Sequence, residues 1–250
     1  MYRGRTAVPG AVATLNHLAD EGLPVAFVTN NASRPPSEVA AHLASLGIDL
    51  RSSMVVTSAE AAAQFVALHE EKGTTVLAVG GPGVASALRA QGLDPVSPGS
   101  PDVVPSVVVQ GAGAEVTWSD LAAAAYAVQA GARWVVTNLD MTIPMPQGLA
   151  PGNGTLVGAV AATTTAQPIV VGKPQPYLFD LGISRLGLSP SDVLVIGDRL
   201  DTDVLGAHAV GAESMLVLTG AHGPEDVARA DPADRPTYVG DDLSHLLTMC

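Results

Sequence analysis

Residues 193 to 204, VLVIGDRLDTDV, restrict the possible folds of this chain more than any other stretch. Val193 to Ile196 form a short apolar run rich in β-branched residues, flanked by polar ones, which predicts a fully buried strand. Gly197 then makes a turn and delivers Asp198 to the carboxyl end of that strand. Ligands of open α/β sheets bind beyond these strand ends, so Asp198 is expected at a functional site.

The acidic residues after this turn have two interpretations. Asp201 or Thr202 can be the N-cap of a following helix, and Asp203 can complement its dipole. The alternative is a site for a hard divalent cation, Mg²⁺, built from Asp198 and Asp203. Several acids beside a Gly-Asp turn at a buried strand end favour the metal site, although a motif of this kind alone does not decide between the two.

Composition limits the class of protein. The chain has 250 residues, 47% of them hydrophobic, which is enough for one large domain or two modest ones. A net charge of -12 argues against nucleic acid or an anionic membrane as partner. Cys250 is the only cysteine, so no intrachain disulfide forms, and no apolar run reaches the length of a membrane span. We therefore expect a soluble cytoplasmic protein.

The rest of the chain alternates between strand and helix patterns. Met1 to Pro9 are expected as a loop. Predicted strands cover 24–28, 54–56, 76–79, 107–109, 134–136, 169–171, 193–196 and 214–218, and predicted helices cover 10–21, 36–46, 58–72, 84–90, 119–130, 154–165, 177–186 and 243–247. This order predicts an α/β protein with a parallel sheet.

Two stretches of loop character stand out within residues 74 to 167. Residues 92–106 hold four prolines and are expected to form a surface connection. Residues 137–154, TNLDMTIPMPQGLAPGNG, are rich in Pro, Gly and polar groups, and loops of that length are usually functional or disordered. Asp140 with its neighbouring amide and hydroxyl groups favours a recognition loop, and a plain surface loop is the alternative. The changed loops suggest a second α/β unit inserted into the first.

Three predicted strand ends carry groups that suit a phosphoryl group. Thr29, Asn30 and Asn31 follow the first long strand, and Lys173 follows the strand at 169–171. The chain has ten arginines and only two lysines, so a lysine at a buried strand end is notable. A hydroxyl with backbone amides, an ammonium group and a carboxylate-bound Mg²⁺ near Asp198 would together form a phosphate cradle.

The segments VTNN, GKP and GDRLDTD, in this order, resemble motifs two, three and four of the haloacid dehalogenase superfamily of phosphatases. The insertion between the first two resembles the subgroup with an α/β cap, which includes 4-nitrophenyl phosphatases and glycerol-3-phosphate phosphatases. The resemblance implies a Rossmann-like parallel sheet core at 1–73 and 168–250, with an inserted α/β cap domain at 74–167. It also implies Mg²⁺-dependent hydrolysis of small phosphate monoesters, with glycerol 3-phosphate a candidate, and a possible homodimer through the cap.

The resemblance also assigns roles to residues. Thr29 and the Asn30 amide would hold phosphate with Asn31, and Lys173 would neutralise it and position the nucleophile. Asp198 would bind Mg²⁺, with Asp203 supporting it from behind. Residues of the cap loop would help select the leaving group, and these are Asn138, Asp140, Thr142 and Ile143.

The first motif of that family, Asp-x-Asp-Gly-Val, does not occur in these 250 residues. Met1 to Gly4 resemble the turn that follows it, so the nucleophile and a central strand are expected upstream of Met1. One hypothesis is that the chain as written is truncated and inactive, and that the complete protein is a phosphatase. The alternative is a non-enzymatic binding protein for a phosphorylated metabolite, derived from such a phosphatase.

Other enzyme classes have weaker support in the sequence. The GGPG turn at 80–83 follows a strand and opens a helix, but it lacks the G-x-G-x-x-G spacing of nucleotide-binding turns. Ser33 has no His and Asp partners evident in the sequence, and the six histidines show no metal spacing.

Overall fold

The computed structural model describes residues 1–4, 6–100, 104–145 and 147–249. These residues form two compact units. The first unit contains the described residues of 1–28, 40–55 and 173–250, and the second contains those of 29–39 and 56–172. We call the first the lysine unit, after Lys173, and the second the cap unit, because it contains the residues predicted to form a cap, 74–167.

Helices and strands alternate along most of the chain. The helices are α1 (Ala11–Asp20), α2 (Pro36–Ser45), α3 (Ser58–His69), α4 (Pro82–Ala90), α5 (Trp118–Gln129), α6 (Asn153–Ala161), α7 (Pro176–Leu186), α8 (Leu205–Val210) and α9 (Pro224–Arg229). The strands are β1 (Tyr2–Arg3), β2 (Thr6–Ala7), β3 (Val25–Thr29), β4 (Ser53–Thr57), β5 (Thr75–Val79), β6 (Asp94–Val96), β7 (Val107–Gln110), β8 (Arg133–Val136), β9 (Thr142–Met145), β10 (Gly148–Pro151), β11 (Ile169–Val170), β12 (Leu194–Gly197), β13 (Glu213–Val217) and β14 (Tyr238–Gly240). Leu200–Val204 form a π-helical turn, and Leu243–Thr248 form a 3-10 helix.

The cap unit is built on a five-stranded sheet in the order β11-β8-β7-β5-β6. All its strand pairs are parallel, for example Val108 of β7 opposite Trp134 of β8. The middle strands β7 and β8 are short, rich in valine and buried for most of their length, which is typical of a parallel sheet covered by helices. Helices α5 and α6 pack on one face and contribute Val128, Val157 and Val160 to the core.

The lysine unit contains a second parallel sheet, in the order β12-β13-β14. Helices α7 and α8 cover it, with Phe179 and Ala207 packed against Val195 of β12. Strands β3 and β4 pair in a separate two-stranded sheet. The predicted α/β class with parallel sheets is confirmed.

Helix starts follow local capping rules. The hydroxyls of Thr57 and Thr117 accept hydrogen bonds from the third backbone amide of α3 and α5. The carboxylates of Glu60 and Asp120 in turn accept a hydrogen bond from the backbone amide of the same threonine. Each helix therefore begins with a capping box. The polar residues Thr57 and Thr117 thus determine where these two helices begin.

Some predictions of local structure are wrong. Residues 1–9 were expected as a loop, but Tyr2–Arg3 pairs with Thr6–Ala7 in a short antiparallel hairpin. The 137–154 stretch contains the antiparallel pair β9 and β10, and strand β6 lies in the proline-rich connection. These strands contain prolines at positions where the missing N–H is tolerated, so composition alone predicts loops there.

The predicted domain boundaries at 73/74 and 167/168 stay predictions. Strand β11, which the sequence assigns to the second part of the core, pairs in register with β8, Ile169 opposite Val135. None of the helices in the described part of the chain is both long and apolar enough to cross a membrane.

Candidate active site

The lysine unit contains an ion pair between Lys173 and Asp203. The Lys173 ammonium Nζ lies 2.7 Å from Asp203 Oδ1, and both side chains are largely buried, with 14% and 10% of their surface exposed. Nζ also lies 3.4 Å from the Val28 carbonyl oxygen and 6.0 Å from the centre of the Phe179 ring. Lys173 and Asp203 are 30 positions apart in the chain and belong to the same compact unit.

Asp203 also organises the turn after β12. Its Oδ2 accepts hydrogen bonds from the backbone amides of Asp198 and Arg199, each at 3.2 Å. A Cβ added to Gly197 would overlap the Asp203 side chain, so only glycine lets the carboxylate approach these amides. Both oxygens of Asp203 are therefore committed to the protein, one to an ammonium group and one to the backbone.

Asp198 lies in the same turn, held by the loop at 220–222. Its Oδ2 accepts from the Ala221 amide at 2.9 Å, and its carbonyl accepts from the His222 amide at 3.1 Å. A Cβ on Gly220 would overlap the Asp198 carboxylate, so the loop packs directly on it. Among the hydrogen bonds of the described residues, none involves Oδ1 of Asp198, so this oxygen can face a ligand.

The N-cap prediction for this turn is wrong. Leu200–Val204 form a π-helical turn whose N-cap residue, Arg199, makes no capping bond through its side chain. Asp201 instead pairs with the Arg199 guanidinium at 2.6 Å on the exposed surface. Thr202 is buried. Asp203 accepts instead from the backbone amides of Asp198 and Arg199, which precede the turn.

The donor set at Asp198 is chemically suited to Mg²⁺. Mg²⁺ prefers oxygen ligands and commonly uses one or two carboxylates, keeps several waters and takes phosphate oxygens from the substrate. The described residues contain no group of three or more His, Cys, Asp or Glu side chains placed to hold a metal ion. A single carboxylate oxygen from Asp198, supported behind by Asp203, fits a magnesium ion of this open kind.

The loop after β3 forms a second group of predicted residues, within the cap unit. The Thr29 hydroxyl accepts from the Asn31 amide at 3.1 Å, which leaves its own hydrogen to donate. The Asn31 side-chain oxygen accepts from the amide and the hydroxyl of Ser33, both at 2.8 Å. The Asn31 side chain thus closes a tight turn, which is a structural task. We call residues 29–33 the phosphate loop, after its predicted role.

Residues of the predicted selecting set contact this loop directly. Asn138 Nδ2 donates to the Asn30 carbonyl at 2.8 Å, and Asn30 Nδ2 donates to both Asp140 carboxylate oxygens at 3.2 and 3.3 Å. Thr142 and Ile143 lie farther along, at the start of strand β9. The structure therefore divides the set into a pair bonded to the phosphate loop and a pair on the β9–β10 hairpin.

The GGPG turn has a packing role in the cap unit. A Cβ on Gly81 would overlap Ser33, and one on Gly83 would overlap the carbonyl oxygens of Ala32 and Arg34. The Gly83 amide donates to the Ser33 carbonyl at 3.1 Å. The glycines allow the phosphate loop to lie directly against this turn, which explains them without a nucleotide.

The predicted residues thus form two groups, Lys173, Asp198 and Asp203 in the lysine unit and Thr29 to Asn31 with Asn138 and Asp140 in the cap unit. A single cradle made from both groups stays a prediction. Sequence reasoning missed Asn153, Ser58 and the 220–222 loop. Glycine at 220 was a visible signal, but nothing local marks Asn153, because its partners lie on other elements.

Sequence profiles of one hydrolase superfamily match both ends of the chain. Residues 1–94 match the profile described as haloacid dehalogenase-like hydrolase, and residues 170–246 match the one described as HAD-hydrolase-like. Together with the relatives that follow, they show that the chain belongs to the haloacid dehalogenase-like hydrolases, as the resemblance predicts. The predicted enzyme class, hydrolases of phosphoric monoesters, is confirmed at the level of that family.

Two relatives and a solved structure are similar to nearly the whole chain. D-glycerol 3-phosphate phosphatase of Mycobacterium tuberculosis is 45% identical over 246 residues, which is 98% of this chain and 68% of the relative. Acid sugar phosphatase of Staphylococcus saprophyticus is 36% identical over 99% of this chain and 93% of its own length. The crystal structure of the M. tuberculosis glycerol phosphate phosphatase in complex with magnesium superposes with a TM-score of 0.89 at 44% identity, covering 98% of this chain and 73% of that one.

Proposed function

We propose that the chain forms most of a Mg²⁺-dependent phosphatase for small phosphate monoesters, with glycerol 3-phosphate as the first candidate substrate. The observation that carries this is the buried Lys173–Asp203 pair beside the Asp198 turn, an ammonium and a carboxylate placed as phosphoryl chemistry needs them. The similarity to glycerol phosphate phosphatase and to acid sugar phosphatases supports the substrate class.

Each residue of the lysine unit has a defined task in this proposal. The Lys173 ammonium binds a phosphoryl oxygen and offsets its charge, and Asp203 holds the ammonium in place. Asp198 presents a carboxylate oxygen to Mg²⁺, fixed in direction by the Ala221 amide. When bound, Mg²⁺ stabilises negative charge on the phosphoryl oxygens.

Residues of the cap unit bind and select. The Thr29 hydroxyl donates to a phosphate oxygen, because the Asn31 amide already satisfies it as an acceptor. We place the leaving group against the hairpin of Thr142 and Ile143.

The nucleophile in this proposal is an aspartate outside these 250 residues, since Asp-x-Asp-Gly-Val is not found in them. The test is phosphate release from glycerol 3-phosphate with Mg²⁺. The assay compares the 250-residue chain with an extended chain, in which a strand ending in that motif precedes Met1. We expect release by the extended chain alone, and its loss in Lys173→Met. Release that persists in Lys173→Met would refute the proposal.

The alternative function, a non-enzymatic binding protein for a phosphorylated metabolite, rests on the same missing motif. It predicts that the chain as given binds glycerol 3-phosphate in calorimetry and that the extended chain also fails to turn it over. Absence of binding by folded protein would exclude this alternative.

We further propose a cytoplasmic location and a homodimer through the cap. The location rests on the single cysteine, which suits a reducing compartment. Trp118 and Tyr126 of α5 are 78% and 65% exposed, so α5 presents two large aromatic side chains to a partner. Light scattering should give the dimer mass for the wild type and the monomer mass for Tyr126→Glu.

A further inference from the structure

Asn138 is committed to the backbone on both sides of its amide. It is 4% exposed, its Nδ2 donates to the Asn30 carbonyl at 2.8 Å, and its Oδ1 accepts from the Asp140 amide at 3.0 Å. A buried side chain that uses both ends for backbone groups is poorly placed to contact a variable leaving group. Its position instead fixes the distance between the phosphate loop and the strand end at β8.

Asp140 continues this connection through its side chain. Its two carboxylate oxygens accept from the side-chain nitrogen Nδ2 of Asn30 at 3.2 and 3.3 Å. The Ser58 hydroxyl donates to the same Asn30 carbonyl that Asn138 holds, at 2.7 Å. Asn30 of the phosphate loop is thus bonded both from helix α3 and from the β8–β9 connection.

Asn153 lies behind Asn138 and was not singled out by the sequence. It is 1% exposed at the first position of α6, and its Nδ2 donates to the Asn138 carbonyl at 2.8 Å. The Gln110 carbonyl lies 3.4 Å from the same nitrogen. The Oδ1 of Asn153 has no hydrogen-bond partner among the described residues, so its donor end is the part that is used.

We propose that Asn153, through Asn138 and together with Asp140, positions the phosphate loop. Leaving-group selection in the cap loop then falls to Thr142 and Ile143 alone. The inference rests on the proposed function, since it assigns a second tier of residues to the same phosphate site. It splits the four residues of the predicted selecting set into two pairs with different tasks.

The two tasks give different signatures. Loss of a positioning bond displaces the loop that holds the phosphoryl group, so affinity falls by one common factor for inorganic phosphate and for every monoester. Loss of a selecting contact leaves inorganic phosphate unaffected and changes the ratio between monoesters. Removing one partner of a buried hydrogen bond predicts a common factor of about tenfold.

The first experiment is calorimetric binding of inorganic phosphate, glycerol 3-phosphate and 4-nitrophenyl phosphate to the full chain with Mg²⁺. Asn153→Asp keeps the size of the side chain and removes its hydrogen-bond donor, and Asn153→Leu removes both the donor and the acceptor. We expect both variants to weaken the binding of all three ligands by the same factor. We expect Ile143→Ala to change only the ratio of the affinities for the two esters. Wild-type phosphate affinity in both Asn153 variants, or a changed ester ratio, would overturn the inference.

A matched control separates positioning from a general loss of stability. Asn16 also joins two backbone groups, donating to the Gly47 carbonyl at 3.0 Å and accepting from the Asp49 amide at 2.8 Å, and it lies in the lysine unit. Asn16→Leu should lower the melting temperature without weakening phosphate binding. If it weakens phosphate binding as much as Asn153→Leu does, the positioning role is refuted.

Hydrogen exchange decides the inference without a ligand. Asn153→Asp should speed exchange of the Asn31 and Ser33 amides, which close the phosphate loop, while amides of β12 keep their wild-type rates. Unchanged loop exchange would refute the positioning role. A wild-type chain that binds no phosphate would refute the proposed function instead, and the exchange result would still stand.

Discussion

Replacing Asp203 should destabilise the lysine unit more than replacing its partner Lys173. Asp203→Leu removes the acceptor of a largely buried ammonium and of two backbone amides. Breaking such a buried pair costs about 3–5 kcal/mol. At about 2–4 °C per kcal/mol for a chain of this size, the melting temperature should fall by roughly 6–20 °C.

Lys173→Met should cost less, because the Asp203 carboxylate keeps both backbone donors. The loss of one hydrogen bond to a charged group predicts about 1.5–3 kcal/mol. Differential scanning calorimetry is the suitable assay, since it separates the transitions of the two units if they unfold independently. Arg229→Met is the control, because its pair with Glu225 is mostly exposed and should contribute at most about 1 kcal/mol.

The order of these three losses is the test. If Lys173→Met costs as much as Asp203→Leu, the two amide bonds of Asp203 contribute nothing to stability. If both cost no more than Arg229→Met, the pair is not buried in solution. Either result would refute the view of Asp203 as the residue that fixes the turn.

Other substitutions test single features. Gly220→Ala places a methyl group against the Asp198 carboxylate, so it should weaken Mg²⁺ binding in calorimetry. Gly158→Ala, at an α6 glycine with open space around it and no left-handed backbone, should not; equal effects would refute the packing argument. Thr57→Ala removes the hydroxyl cap of α3 and should cost about 1 kcal/mol in urea denaturation, and no measurable loss would refute the cap. Asp180 is exposed, but partial burial of its carboxyl raises its pKa, so the ionised form weakly opposes folding above the ordinary value of 3.8. Asp180→Asn should therefore be slightly more stable than the wild type at pH 7, with a gain that disappears below pH 3.8 in thermal melts; a gain that persists at low pH would contradict this cause.

The sequence predicted the parts of the site that depend on periodicity and strand ends. Asp198 and Lys173 follow strands whose apolar runs are clear, so their placement beyond a sheet required only the alternation of elements. The partner of Lys173 was not predictable, because it depends on a π-helical turn at 200–204 that no local pattern marks. In that turn Asp203 pairs with the ammonium, and Asp201 pairs with Arg199 instead.

Contacts between distant elements account for the rest. Asn153 reaches Asn138 across 15 residues, and Asn138 reaches Asn30 across 108. Neither pairing has a signature within one helix or strand. The β9–β10 hairpin was hidden by Pro144 and Pro151, which suit a loop by composition but here lie in a pair of strands.

The close packing of Gly81 and Gly83 on residues 32–34 matters for anyone who exchanges caps between relatives. A graft limited to 56–172 would separate that glycine turn from the backbone of residues 32–34 on which it packs. An alanine at 81 or 83 in the donor would overlap that backbone. Chimaeras should therefore transfer residues 29–39 together with the inserted sheet, as one cassette.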